Sequence, residues 1–543
     1  MKHKKHSSKY VRTSTAIALI FLAILLSTCA SYFVFGNSST TFTISSGVYP
    51  GAPSFTVYKE GSKYYAKNAY GVIEYSGTNA SQIFQSVIDA LPDTGGKILI
   101  RRGHYFMDAP LNITKNSVYL EGEGYSWGFI DQINALLPNN ATALIATPNF
   151  PSDKFMINFH PPKGKNVMIG GGLQGIALDG GKVNQLFEDP SNNTWYSGGG
   201  VFINNTHGVR ITDCTFTRHG GHAIYAYSNL QSGYLTGGGI SDIQIERNCI
   251  RNIGYGNYIG FGNVFWPQKA SGIGIFLDVG CWVASVINNW VTRTYDYNIA
   301  VASWGGRIIG NECEWATVNP ERGDYSEDPT DPSKAVYMSG SAIYVKEYGI
   351  LVEGNHIIWP DRHGIVTYGR NLVVGNNILQ VNRKNFTGSA GGAGIHAEGH
   401  NLNLTIVGNV IADVGEDYGD ERLMEYGIVV AGASNSSSTI VANMISGARN
   451  QSIWQTNSTV AYNVGWVTEN SGTVEASNDD WIAHGLCAAP TCVILTIEET
   501  DSRYFLQVKA RNSTHFQIYL YDAIADAFET VDKTIHWHAE YKP

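Results

Sequence analysis

The sequence predicts an all-β chain whose main part is a right-handed parallel β-helix, a solenoid of short strands stacked coil upon coil. Two recurring phrases and one spacing support this fold class. An asparagine recurs between aliphatic residues, a small residue followed by Ile opens a second strand in most repeats, and the shortest repeat interval is about 20 residues. The prediction includes a capping helix at the N-terminal end of the solenoid and a small antiparallel β domain after it.

The first phrase is an apolar residue, two spacers, Asn, one spacer and a second apolar residue, as in Val352-Asn355-Ile357 and Val373-Asn376-Ile378. The Asn slot is filled by Asn248, Asn289, Asn311, Asn355, Asn376, Asn409, Asn443 and, in weaker form, Asn463, and Cys214 fills it first. The intervals between slots are 34, 41, 22, 44, 21, 33, 34 and 20 residues. Asparagine tolerates the left-handed backbone of a tight corner, and stacked Asn side chains can hydrogen-bond one another. We therefore expect these residues to be the left-handed corner residues and to lie one above another.

The second phrase sets the outer face of the solenoid. If each Ile after the small residue points inward, alternation places its neighbours outside. The first predicted outward column is Tyr225, Gly274, Ala300, Tyr344, Val366, His396 and Val429. The second is Tyr227, Phe276, Ala302, Lys346, Tyr368, Glu398 and Ala431. Long loops at 252–271, 314–341, 380–393 and 412–426 precede these strands and are expected to wall a groove.

The N-terminal segment, residues 1–36, is a basic tail followed by an apolar run from Ala16 to about Phe35. A run of this length, with positive charge before it, predicts either a retained membrane anchor or a cleaved signal peptide. Both alternatives place the folded part outside the cell, at the cell surface or secreted. Twelve Asn-x-Ser/Thr sequons also suit a surface glycoprotein. The membrane is a partner only if the segment is uncleaved.

Residues 37–75 are expected to form a stalk and first strands, and residues 76–125 a capping helix and entry turn. The helix is predicted from Ser81 to Leu91, because Ile83, Phe84 and Val87 share one apolar face. Gly95-Gly96 stops it, and a Leu-x-Gly-x-Gly strand follows at Leu120–Gly124.

This entry module, followed by the Asn repeats, resembles the pectin-lyase-like superfamily over roughly residues 76–470. The resemblance implies that the helix plugs the open end of the solenoid and that polysaccharides lie along one strand face. The usual Asp pair before the helix is absent, since Gly77-Thr78-Asn79 stands there. The β-helix itself is expected over 126–470.

Residues 471–543 lose the Asn phrase and show alternating strands, which predicts the small antiparallel β domain. Its expected role is to cap the solenoid, bind a ligand or make a homo-oligomer. Cys487 and Cys492 are close enough in sequence to bridge a small loop.

The composition limits the partners. The formal net charge of −9 argues against nucleic acid. A charged fraction of only 15 % with abundant Gly and Tyr suits a β-rich, turn-rich extracellular protein. The resemblance to the pectin-lyase-like superfamily implies that its partner is a polysaccharide.

Two chemistries fit the polar centre of the predicted face. A polysaccharide lyase or epimerase needs a base for the C5 proton, for which Lys346, His396 and Tyr344 are candidates. It also needs a cation that neutralises the anion, either Arg362 or a divalent cation such as calcium. A glycoside hydrolase needs two carboxylates, either Glu398 with Asp361 or Asp278 with Asp296. The sequence leaves the metal and any cofactor unknown.

The candidate catalytic residues are therefore Lys346, His396, Glu398, Asp361 and Arg362, and the candidate substrate-binding residues are Tyr344, Tyr368, His363, Asp296, Tyr225 and Tyr227. The expected function is an extracellular polysaccharide lyase or glycoside hydrolase. The alternative is a non-catalytic adhesin or structural carbohydrate-binding protein that uses the same face.

Overall fold

The structure is a computed structural model, and the fold below is that of Pro53–Pro543. The described residues are 52–124, 140–181, 196–228, 239–254, 272–278, 280–302, 304–317, 340–383, 391–398, 403–413, 423–430, 438–455, 458–467, 469–498 and 503–541. The predicted membrane anchor or signal peptide lies outside them, as do most residues of the four loops expected to wall a groove. No helix within the described ranges is long and apolar enough to cross a membrane.

Three long sheets, here called sheets A, B and C, run the length of the solenoid. Sheet A consists of Phe55–Glu60, Lys63–Asn68, Ile73–Gly77, Gly96–Ile100, Val118–Gly122, Met168–Gln174, Thr206–Thr212, Ile240–Ser241, Gln244–Glu246, Cys281–Ile287, Trp304–Ile309, Ile350–Glu353, Leu372–Val374, Thr405–Val407, Ser438–Val441 and Ser458–Ala461. Sheet B consists of Gly103–Met107, Thr142–Ala146, Ala177–Asp179, Thr215–Thr217, Cys249–Ile253, Trp290–Thr294, Glu312–Ala316, His356–Ile358, Asn377–Leu379, Val410–Ala412 and Met444–Ser446. Sheet C consists of Leu111–Ile113, Phe155–Phe159, Gly199–Asn204, Ile224–Tyr227, Ile275–Leu277, Ile299–Val301, Ile343–Val345, Ile365–Tyr368, Ala393–Glu398, Tyr426–Val430 and Gln451–Gln455.

Each coil contributes one strand to every sheet, and neighbouring coils pair in parallel. This confirms the predicted right-handed parallel β-helix. Aliphatic side chains repeat in register inside the solenoid, so that Ile343 lies between Ile299 and Ile365, and all three are fully buried. Burying such a side chain contributes roughly 1.5–3 kcal/mol. The stacked interior is therefore the main stabilising feature of the solenoid.

The ladder asparagines lie one above another, as predicted. From Asn248 to Asn463, each side-chain amide donates to the carboxamide oxygen of the next ladder residue at 2.8–2.9 Å. The same amide also donates to a carbonyl of the preceding coil, as Asn376 does to Val352 at 3.1 Å. Every ladder residue thus satisfies backbone groups that the corner would leave unpaired.

The expectation that asparagine itself adopts the left-handed conformation is wrong. The positive φ falls on the residue just before the ladder residue, as at Arg247 (55°), Gly375 (60°) and Ala442 (53°). The physical reason is that the two adjacent positions have different roles. The preceding residue turns the chain, and the Asn keeps the orientation that lets its side chain bridge coils.

One helix, α1, spans Ala80–Ala90 and closes the N-terminal end of the solenoid, which agrees with the prediction. Asn79 caps it by accepting from Gln82 N–H. Its buried face includes Phe84, whose ring meets Tyr105 edge-on at 5.4 Å. The first coil is thereby covered by apolar side chains instead of being open to water.

The predicted antiparallel domain is also present, as two small sheets. Sheet D consists of Glu469–Ala476, Cys492–Ile497 and Lys533–Glu540, and sheet E of Trp481–Ala483, Tyr504–Arg511, His515–Asp522 and Ala527–Phe528. Phe516 and Trp537 meet edge-on at 5.5 Å in the core they share. The expected bridge is not formed: Cys487 is half-buried and Cys492 exposed, and both are free thiols.

Candidate functional site

The outer row of sheet C is defined by the residues that pair across successive strands between the inward Ile positions. It runs Phe202, Tyr225, Phe276, Ala300, Tyr344, Val366, His396 and Val429. The prediction was wrong at one place, because Phe276 and not Gly274 lies beside Tyr225. The sequence Gly272-Ile273-Gly274-Ile275 contains two small-Ile steps, and the second one carries the inward residue.

This row is an aromatic layer that is largely closed to solvent. Tyr225 is 2 % exposed and Tyr344 1 %, so the expectation that these tyrosines stand open in a groove is wrong. Tyr225 stacks between Phe202 and Phe276 with ring centroids 5.2 and 5.1 Å away. Mutual stacking removes these ring faces from water, which explains their burial. Tyr227 and Tyr368 are half-buried at the margin of the layer.

At the N-terminal edge of the sheet C strands, the structure brings three predicted residues together. His363 and His396 have ring centroids 4.6 Å apart, and Arg362 is close enough to affect His363 electrostatically. Burial lowers the pKa of His363 well below its usual range, and the nearby His396 and Arg362 lower it further. His363 Nδ1 accepts from the Ala393 N–H at 3.0 Å, so the neutral ring carries its proton on Nε2. The result is a neutral hydrogen-bond donor beside a second imidazole and a guanidinium.

Asp361 lies in the same corner but is held in a buried ion pair. The Oδ1 atom of Asp361 accepts a hydrogen bond from Arg383 Nε at 2.8 Å and lies 2.7 Å from Arg383 Nη2. Asp361 is fully buried. Sequence reasoning missed Arg383, although its charge in the predicted loop 380–393 was a usable signal. Asn382 Nδ2 donates to the Leu423 carbonyl, which fixes the adjacent turn. The corner that carries Arg362 and His363 is therefore rigidly braced.

The C-terminal edge of the sheet C strands holds a second polar group. Burial lowers the pKa of Lys346, and the negative charges of Glu347 and Asp278 partly offset this shift. Burial raises the pKa of Glu347, and the positive charge of Lys346 partly offsets that shift. Asp278 is fully buried and accepts a hydrogen bond from the Tyr225 hydroxyl at 3.0 Å. Lys346 is thus a half-buried amine whose charge is partly balanced by carboxylates.

The backbone register separates Asp278 from Asp296 along the strands, and it places the backbone of Glu398 away from Asp361. Ile275 pairs with Ile299, so Asp296 aligns with Gly272, six residues before Asp278. At about 3.3 Å per residue this is on the order of 15–20 Å. Asp361 and the Glu398 backbone are separated by a similar offset, because Ile365 pairs with Ile395. The side chain of Glu398 lies outside the described residues.

The described residues contain no group of three or more His, Cys, Asp or Glu side chains arranged to hold a metal ion. The divalent-cation alternative of the sequence therefore stays a prediction, as does the role of Arg362 as the neutraliser.

A family model supports the β-helix fold. Residues 165–313 match the family model described as "Right handed beta helix region". A search of curated proteins found no match.

Solved structures to which this chain is similar include the tailspike protein gp49 of a Pseudomonas phage, at 10 % identity and TM-score 0.47, covering 85 % of this chain and 92 % of that chain. DFA-IIIase from Arthrobacter chlorophenolicus gives 13 % identity and TM-score 0.46, covering 72 % and 91 %. The A-module of a mannuronan C-5 epimerase from Azotobacter vinelandii gives 14 % identity and TM-score 0.41, covering 70 % and 96 %.

Proposed function

We propose that the chain is a polysaccharide lyase, located at the cell surface or secreted, which cleaves a uronate-containing polysaccharide beside His396. The observation that carries the proposal is the contact between His363 and His396 next to Arg362. The separation of Asp278 from Asp296 along the strands disfavours a hydrolase that would use this pair, because the paired carboxyl groups of glycosidases lie about 5–9.5 Å apart.

In the proposed step, His396 takes the C5 proton of a uronate. The C–H electrons form the C4–C5 double bond, the C4–O bond breaks, and the departing oxygen takes a proton from water. Arg362 neutralises the charge that develops on the uronate carboxylate, and the His363 Nε2–H donates a hydrogen bond to it. The lowered pKa of His363 suits this role. Its Nδ1 already accepts a hydrogen bond from the Ala393 N–H, so the ring is a weak base that does not compete with His396 for the C5 proton.

The test is a panel of alginate, polygalacturonate and hyaluronan, read by the absorbance of the unsaturated uronate product and by new reducing ends. We expect His396→Ala to reduce turnover at least about 100-fold, the usual range for a general base. Lys346→Ala is the control, because Lys346 follows the C-terminal end of a sheet C strand that lies two coils before the strand of His396.

The outcomes separate the alternatives. Reducing ends without unsaturated product would indicate a hydrolase, and a larger loss from Lys346→Ala would move the base to Lys346. If neither product forms on any substrate, the lyase proposal fails.

The second candidate is the non-catalytic binder, and the buried ion pair of Asp361 with Arg383 favours it, because a carboxylate held in such a pair is not available as a general acid or base. Co-sedimentation with the same polysaccharides, undiminished in His396→Ala and without product, supports this candidate.

A further inference from the structure

The outer surface around the asparagine ladder changes its character along the solenoid. In the last four ladder coils, sheets A and B are formed by segments 372–379, 405–412, 439–446 and 459–464. The structure describes all four segments, and none of them contains Asp, Glu, Lys, Arg or His. The equivalent positions one coil earlier carry Glu353 and His356, and two coils earlier they carry Arg307, Glu312 and Glu314. We call the outward side of the four segments the uncharged face.

The uncharged face is apolar and open to solvent. Val410 and Met444 are direct neighbours on adjacent strands of sheet B, and Met444 pairs in turn with Val464. These three side chains are 38, 48 and 64 % exposed, and Tyr462 at the adjoining corner is 88 % exposed. Leu372, also exposed, extends the face onto sheet A. Single exposed apolar side chains are ordinary, but a contiguous set of them marks an interaction surface.

The size of the uncharged face suits a contact between two proteins. Neighbouring coils lie about 4.8 Å apart and residues along a strand about 3.3 Å apart, so four coils of up to eight residues cover on the order of 500 Å². A matching area on the partner brings the total to about 1,000 Å², the lower limit for a specific interface. The cores of such interfaces are depleted of charge and enriched in Tyr and Met, as at Tyr462 and Met444.

Two properties select a second copy of this chain as the partner. The outward rows repeat at the coil spacing, as Val374, Val407 and Val441 do on sheet A, so the rows of one copy interdigitate with the equally spaced rows of another. The formal net charge is −9, so two copies repel one another wherever charged surfaces meet, and contact through the uncharged face avoids this. We infer that the chain forms a symmetric dimer through the uncharged face. This inference is independent of the lyase proposal, because sheet C takes no part in it.

The test is sedimentation velocity of the full chain at protein concentrations up to about 100 μM. We expect a reversible equilibrium between monomer and dimer with a dissociation constant on the order of micromolar, because the interface is at the lower limit of size. Added salt should strengthen the dimer, since it screens the repulsion between the negative copies and leaves apolar contacts intact. A chain that stays monomeric at the highest concentration, or a dimer that dissociates as salt rises, overturns the inference.

Two exposed valines provide a matched pair of variants. Val410→Glu places a carboxylate of each copy in the apolar contact, and we expect the dissociation constant to rise at least about 100-fold. Val72 is exposed at the N-terminal end of sheet A, so Val72→Glu adds the same charge elsewhere and should leave the dimer unchanged. Equal losses would show general charge repulsion. A dimer that persists in Val410→Glu would be held by another surface, such as the apolar run from Ala16 to about Phe35, and either result contradicts the inference.

A third variant, Tyr462→Asp, keeps the test decisive if Val410→Glu folds poorly. Tyr462 has φ 54° and a largely exposed ring, and Asp adopts this left-handed backbone readily, so the unfolding transition should not change. We expect the dimer to weaken about tenfold or more, and an unchanged dimer overturns the inference. If the wild-type chain is monomeric and binds a polysaccharide that Val410→Glu does not bind, the face belongs to a saccharide and the dimer is excluded. His396→Ala should dimerise as the wild type does, so failure of the lyase proposal is distinguishable from failure of this one.

Discussion

Asn376 ties three coils together through one carboxamide. Its oxygen accepts from the backbone and side-chain amides of Asn355, and its own amides donate to Asn409 and to the Val352 carbonyl. All of these groups are buried, so removing the carboxamide leaves several of them without partners. Each such group costs about 1–3 kcal/mol.

We therefore expect Asn376→Ala to lower the free energy of unfolding by roughly 2–4 kcal/mol. Its neighbour Asn377 is exposed, so Asn377→Ala is the matched control and should change stability by less than about 0.5 kcal/mol. Urea unfolding followed by circular dichroism measures both. Equal effects would mean that the ladder contributes no more than any surface asparagine.

His219 gives a pH prediction. Burial lowers its pKa to about 3, while its Nδ1 lies 2.9 Å from the Ser197 hydroxyl. The unfolded chain binds this proton near pH 6.5 and the folded chain does not. The stability that the neutral ring confers is therefore present above about pH 6.5 and is lost as the pH falls from there toward 3, by about 1.4 kcal/mol per pH unit.

The measurement is the slope of the unfolding free energy against pH between 4 and 6. We expect the wild-type slope to exceed that of His219→Gln by about 1.4 kcal/mol per pH unit. Parallel slopes would show that His219 is protonated in the folded chain, whatever the absolute stabilities of the two proteins.

At the scale of single residues, the sequence specified the ladder but not every register. The Asn pattern predicted the stacking of Asn355, Asn376 and Asn409 because one side chain fills the same role in each coil. It could not choose between Ile273 and Ile275 as the inward residue, because both follow glycine. The choice depends on how the preceding corner ends, which involves contacts with neighbouring coils.

At the scale of the element, each corner before the ladder depends on one left-handed residue. Gly375 has φ +60°, and a Cβ added there would meet no other atom within 4 Å, while Ala442 holds the equivalent place at φ 53°. The difference between them is thus one of backbone preference alone. A residue with a Cβ loses about 1–2 kcal/mol in this conformation.

We expect Gly375→Ala to destabilise the chain by about 1 kcal/mol and Ala442→Gly to stabilise it by a similar or smaller amount. Both are measured as shifts in the urea midpoint at constant slope. Effects of the same sign in the two variants would contradict the assignment of the turn to these positions.

The elements were more predictable than the site they carry. Helix α1 and the repeating strands follow from periodicity within the chain. The closure of the outer row does not, because Tyr225 and Tyr344 alternate with inward residues just as exposed ones would. Their burial comes from stacking on rings of other coils, which local alternation cannot reveal. The contact between His363 and His396 was likewise invisible, because it joins a corner to the strand of the next coil.

At the scale of the whole molecule, a solenoid is stabilised by contacts between neighbouring coils, so its ends decide whether the stack survives. Helix α1 closes one end with Phe84, which is fully buried against Tyr105. Truncating that ring removes the largest buried side chain of the cap and leaves a cavity above the first coil. Loss of a buried Phe costs about 3–5 kcal/mol.

We expect Phe84→Ala to lower the unfolding free energy by about 3–5 kcal/mol and to increase aggregation, because a loosened helix uncovers the apolar interior and unpaired strand edges of the first coil. Gln82→Ala, on the exposed face of the same helix, is the control for a substitution in the helix that removes no buried side chain. Light scattering during thermal unfolding should separate the two variants. If Phe84→Ala unfolds at a lower temperature but remains as soluble as Gln82→Ala, the helix stabilises the first coil without protecting its edge, and the capping role fails.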